Sequence, residues 1–82
     1  MTIRQVLIGM LVDYGLWQQE AAAVLAQMEA EDTTSLRYGD TPDQYPAPVM
    51  AAMELTARRA ALEWLKANAP KHWAIGVLED AP

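Results

Sequence analysis

His72 is the only side chain in this sequence that titrates near neutrality, so any general-base chemistry would have to pass through it. A base also needs an oriented partner and a nucleophile, and no residue pattern singles either out. The reading is therefore a surface histidine beside Lys71. Asp32, Asp40 and Asp43 could approach a hard cation, but they lack the regular oxygen-ligand spacing and the closing Glu of a calcium loop. They read as turn-forming and capping aspartates. With no Cys and one His, neither a thiolate site nor a histidine cluster can form, and no cofactor or metal is expected.

Arg37, Arg58 and Arg59 could converge on an anion, because the guanidinium fork matches phosphate and carboxylate. Tyr38, Tyr45 and Trp17 would then supply stacking surfaces, and the set would make a nucleotide pocket. The competing reading is a solvated charged face, since acidic residues stand near the helical arginines.

These side chains need a scaffold, and 82 residues provide one small domain that buries roughly two-thirds of its unfolded surface. No disulfide can staple it, so packing must hold it. A hydrophobic content of 52% argues for a globule, and the absence of Phe leaves Trp, Met, Leu, Ile and Val to fill the core. Eleven acidic against six basic residues give a net charge of −5, which argues against a nucleic-acid-binding surface. The apolar run Val6–Val12 after Arg4 is interrupted by Asp13 and is far shorter than the ~20 residues that span a bilayer. A cytoplasmic chain is expected.

Three helices follow from periodicity. The first, about residues 2–14, starts on a Thr2/Gln5 capping box, carries Ile3, Val6, Leu7, Met10, Leu11 and Tyr14 on one stripe, and stops at Gly15. The second, about 17–31, gathers Trp17, Ala21, Val24, Leu25 and Met28, and its start lacks a good capping side chain. Residues 32–46 read as an ordered loop anchored by Leu36, Tyr38 and Tyr45. Pro46 and Pro48 introduce the third helix, about 47–68, with Glu54–Arg58 and Glu63–Lys66 pairs in support. A short turn over 70–75 then folds Trp73 onto the core, and 76–82 form a tail. The fold class is all-α, a three-helix bundle with a short fourth helical turn. Its predicted core is Ile3, Leu7, Met10, Leu11, Tyr14, Val24, Leu25, Met28, Met53, Ala57, Ala60, Trp64 and Trp73.

Leu55 and Leu62 fall on the side of the third helix opposite its core stripe, between Arg58, Arg59 and Lys66. Ile8 and Val12 depart likewise from the core side of the first helix. Two helices with extra apolar surface predict an interface built from Ile8, Val12, Leu55, Arg59, Leu62 and Lys66, first of all in a homodimer.

The pattern Tyr45-Pro46, Ala61-Leu62-Glu63-Trp64-Leu65, Asn68-Ala69-Pro70 and Trp73, preceded by Met10-Leu11-Val12-Asp13-Tyr14-Gly15, resembles short accessory proteins of tailed bacteriophages and prophages. Those proteins often end in an arginine-proline-methionine stretch where this chain has Ala74-Ile75-Gly76-Val77. The shared motifs are helix starts, stops and packing aromatics, so no catalytic residue carries over. The resemblance implies a non-enzymatic protein in a bacterial host that binds a host or phage macromolecule, for example to inhibit a defence system. The alternatives are an oligomeric protein that sequesters a nucleotide signal through Arg37, Tyr38, Tyr45 and Arg58 or Arg59, and a phage structural or assembly component.

Overall fold

A computed structural model describes residues 1–31 and 36–80 of the chain, and the reading of Asp32 as a possible cation ligand lies outside them. Among the described residues the protein is all-α: α1 (Ile3–Asp13), α2 (Gln18–Glu31), α3 (Ala47–Asn68) and α4 (Ala74–Asp80), with one 3-10 turn over Pro42–Gln44. Helix α1 packs on α2, α3 crosses both, and α4 docks on α3.

Each start has a local cause. The Thr2 hydroxyl accepts from the Gln5 amide at 3.2 Å while Gln5 Oε1 accepts from the Thr2 amide at 2.8 Å, a reciprocal capping box. The two amides between them reach the loop instead: Ile3 N–H donates to the Asp40 carbonyl at 2.8 Å and Arg4 N–H to the Tyr38 carbonyl at 3.1 Å. Every orphan donor of this helix end is thereby satisfied. Helix α2 starts without a Ser, Thr, Asp or Asn, and the cap comes from inside it, Glu20 Oε1 accepting from the Trp17 amide at 2.8 Å. Pro46 precedes α3 with an extended backbone, and Pro48 occupies its first turn, where no N–H is needed.

The α1–α2 corner turns at Gly15, whose φ of 114° suits glycine and few other residues. Leu16, the next residue, points into the core beside Ile3, Leu7, Leu11, Val24, Leu25, Met28, Ala57 and Leu65. Fully burying a side chain of that size is worth roughly 1.5–3 kcal/mol.

Several expectations need correction. The segment read as a turn and tail is helical from Ala74 to Asp80, because Ala74 and Leu78 are buried at i,i+4. The buried stripe of α3 is Ala57, Ala61 and Leu65, so Met53, Ala60 and Trp64 are only half-buried at its flank, as are Met10 of α1 and Tyr14 at its C-cap. Trp17, read onto the apolar stripe of the second helix, and Trp73, expected to fold onto the core through a short turn, are both exposed. The predicted helical ion pairs give way to tertiary partners: Arg58 donates to the Tyr14 hydroxyl at 3.1 Å, and Lys66 lies 3.8 Å from Glu79 of α4. Arg4 of α1 hydrogen-bonds Glu29 of α2, and that bond, with the carboxylate's charge, raises the guanidinium pKa above its ordinary value.

Candidate functional site

The predicted interface residues do not form one exposed seam. Ile8 and Leu62 are half-buried against the core, whereas Val12, Leu55, Arg59 and Lys66 are exposed. On α3, helix α4 lies close enough for Glu79 to approach Lys66, so part of the side expected for a partner faces the chain's own last helix.

The predicted ligand residues are likewise dispersed. Tyr38 is buried. The Tyr45 hydroxyl accepts from the Arg37 amide at 3.1 Å and donates to Asp40 Oδ2 at 2.7 Å, which makes it an internal brace of the loop. Arg58 rests against Tyr14, its guanidinium carbon 5.8 Å from the ring centroid. Tyr14 caps the C-terminal end of α1 and the Tyr38–Asp40 loop caps the opposite end, so about 16 Å of helix separates Arg58 from the loop. Arg59 does share a hollow of about 390 Å³ with Tyr38, Met28 and Met53, but Glu31 and Glu63 line it too. Two carboxylates against one guanidinium do not favour an anion there.

A different cluster is brought together at the α1–α2 corner. Trp17 immediately precedes α2 and Trp73 immediately precedes α4; they are 71% and 66% exposed, and both line one open hollow of about 370 Å³ with Glu20, Lys71 and His72. Trp17 also borders a second hollow, with Gln18, Gln19 and Ala22. Tryptophan is among the residue types enriched at the energetic centres of protein interfaces.

His72 holds this corner together. Its Nδ1 accepts from the Ala74 amide at 3.0 Å, and an amide can only donate, so Nδ1 carries no proton in this arrangement. The ring proton therefore sits on Nε2, which lies 3.1 Å from Glu20 Oε1. The same carboxylate oxygen caps the Trp17 amide. One Glu–His pair thus ties the start of α2 to the start of α4, and the Trp73 indole stacks beside the imidazole with ring centroids 6.1 Å apart. The expectation of a surface histidine is corrected, since its side chain is only 12% exposed.

The sequence offered Trp17 only as a stacking surface beside distant arginines and did not pair it with Trp73, because 3.6-residue periodicity cannot distinguish a first-turn residue facing the core from a cap residue just outside the helix, and nothing local shows which way a residue in the following turn points. One signal was present: Glu20 stands three residues after Trp17, half of a capping box. Among the described residues no group of three or more His, Asp or Glu converges as a metal site, and no helix is long and apolar enough to cross a membrane.

No protein-family model matches the chain, and no curated protein or solved structure matches it.

Proposed function

We propose that this protein is a non-enzymatic accessory protein of the kind that tailed bacteriophages and prophages encode, acting in the cytoplasm of a bacterial host by binding a host or phage protein. The observation that carries this reading is the placement of Trp17 and Trp73, two large and mostly exposed side chains, on one hollow at a braced corner. Aromatic anchors on pre-organised backbone lose little entropy on binding and dominate interface energies. The engagement of both His72 ring nitrogens speaks for recognition over catalysis, because neither is available to a substrate in this arrangement.

A homodimer remains part of the proposal, through the exposed Val12 and Leu55 with Arg59 and Lys66 around them. Ile8 and Leu62 would contribute less than their spacing implied, being largely packed on the core. Inhibition of a host defence system is one role such binding could serve.

Affinity capture from host lysate tests the reading when the full-length chain is compared with a Trp17→Ala/Trp73→Ala variant. One saturable protein partner retained by the former and lost by the latter, with unchanged circular dichroism, is expected. Equal capture by both, or capture of nothing, would overturn it. Sedimentation at rising concentration checks the dimer separately.

A further inference from the structure

We propose that His72 is a proton-operated latch, which joins α4 to the α1–α2 corner when neutral and lets go of the start of α4 when protonated. The geometry makes the two nitrogens unequal. Nδ1 faces a group that can only donate, the Ala74 amide at 3.0 Å, whereas Nε2 faces a carboxylate, Glu20 Oε1 at 3.1 Å. A second proton must go onto Nδ1, where it converts an N–H···N hydrogen bond into two opposed N–H groups. The bond on the other side of the ring gains from the same event, because an imidazolium N–H donates to a carboxylate more strongly than a neutral one. Protonation thus keeps the ring on Glu20 of α2 while it frees the Ala74 amide.

The charged groups that face His72 are Glu20 on α2 and Lys71 in its own loop, both lining the same hollow. What yields is the weaker element. Helix α4 has seven residues; the burial of Ala74 and Leu78 and the Ile75 amide to His72 carbonyl bond at 3.2 Å keep it docked, and the Ala74 amide is the part of its first turn that the protonated ring releases. Trp73 lies between His72 and Ala74, so its indole, one wall of the tryptophan hollow, moves with that turn. An unperturbed imidazole changes charge between about pH 5 and 8, which sets the range over which the latch is tested. The inference is independent of which partner the corner binds.

Nitrogen-15 NMR on the full-length protein tests it. At pH 8 the His72 ring should show the Nε2-protonated tautomer. On titration from pH 8 to pH 5 the Ala74 amide should lose about tenfold in hydrogen-exchange protection, the loss of one hydrogen bond, and the Trp73 indole N–H should shift in step. In His72→Gln, which has nothing to titrate, the Ala74 protection should not change over this range. An Nδ1-protonated tautomer at pH 8, unchanged Ala74 protection once the ring is charged, or the same fall in His72→Gln would each overturn the latch. Should His72→Gln not fold, the tautomer and the Ala74 protection of the unaltered chain decide alone.

Discussion

The Trp73 indole closes over Gly15, at the point where the backbone turns from α1 to α2 with φ of 114°. A Cβ at Gly15 would sit 2.5 Å from Cζ2 of that ring and 3.0 Å from Cζ3, and closer still to Cη2. Gly15→Ala therefore meets backbone strain and a ring at once. Strain of this kind costs about 1–3 kcal/mol by itself. Urea denaturation should show at least that loss, and adding Trp73→Ala should recover the part due to the ring. A stability loss that Trp73→Ala leaves unchanged would show that the ring does not rest on Gly15.

The Glu20–His72 pair should contribute to stability as well as to shape. His72→Ala removes the acceptor of the Ala74 amide and the partner of Glu20, and a half-buried polar group left unpaired costs about 1–3 kcal/mol. Chemical denaturation near pH 7.5 measures it. A variant within about 0.5 kcal/mol of the parent would mean that the brace adds nothing.

Three leucines of α3 report the rotation of that helix. Leu65 is fully buried, Leu62 half-buried and Leu55 exposed. Leu65→Ala should cost about 2–5 kcal/mol, Leu62→Ala less, and Leu55→Ala under about 1 kcal/mol. Thermal melts of the three variants give the order. If Leu55 proves as costly as Leu65, the helix is turned differently or Leu55 is covered in a dimer, and a concentration-dependent melt separates these cases.

Nucleotides should not stabilise the protein through the loop and Arg58, since about 16 Å of α1 lies between them. A ligand at 100 times its Kd would add about 2.7 kcal/mol, easily seen in a thermal shift. A shift with any mono- or cyclic nucleotide that disappears in Arg37→Ala and Arg58→Ala would restore the sequestering alternative.

Tyr45→Phe should loosen the start of α1 from a distance. Removing the hydroxyl leaves Asp40 Oδ2 and the Arg37 amide without their partner, and Asp40 and Tyr38 hold the first two amides of the helix. Hydrogen exchange at Ile3 and Arg4 should quicken by about tenfold while exchange at Leu65 stays slow. Uniform acceleration across the core would instead mean that the loop brace governs global stability.

The features of this protein that were legible in its sequence are those whose cause lies within about one helical turn. The Thr2–Gln5 box, the glycine stop at Gly15 and the Pro46–Pro48 entry to α3 are each written in neighbouring residues. The apolar stripes of α1 and α2 are nearly as local, and most of their buried residues could be picked out by period alone. For α3 the same method erred in rotation, because alanines fill most of its faces and hydrophobicity hardly distinguishes Ala60 from Ala61.

What only the tertiary structure decided is everything that joins distant segments. His72 meets Glu20 across 52 residues and Arg58 meets Tyr14 across 44, and neither pairing leaves a trace in local composition. The helix at Ala74–Asp80 forms by burying Ala74 and Leu78 against helices laid down far earlier in the chain, so seven residues that read as a tail become ordered. That docking turns Trp73 outward over Gly15 and onto the same hollow as Trp17, making a candidate surface of one residue read onto a helical stripe and one expected to fold onto the core. Periodicity reports which side of a helix is apolar; which apolar residues are covered depends on where the other helices come to rest.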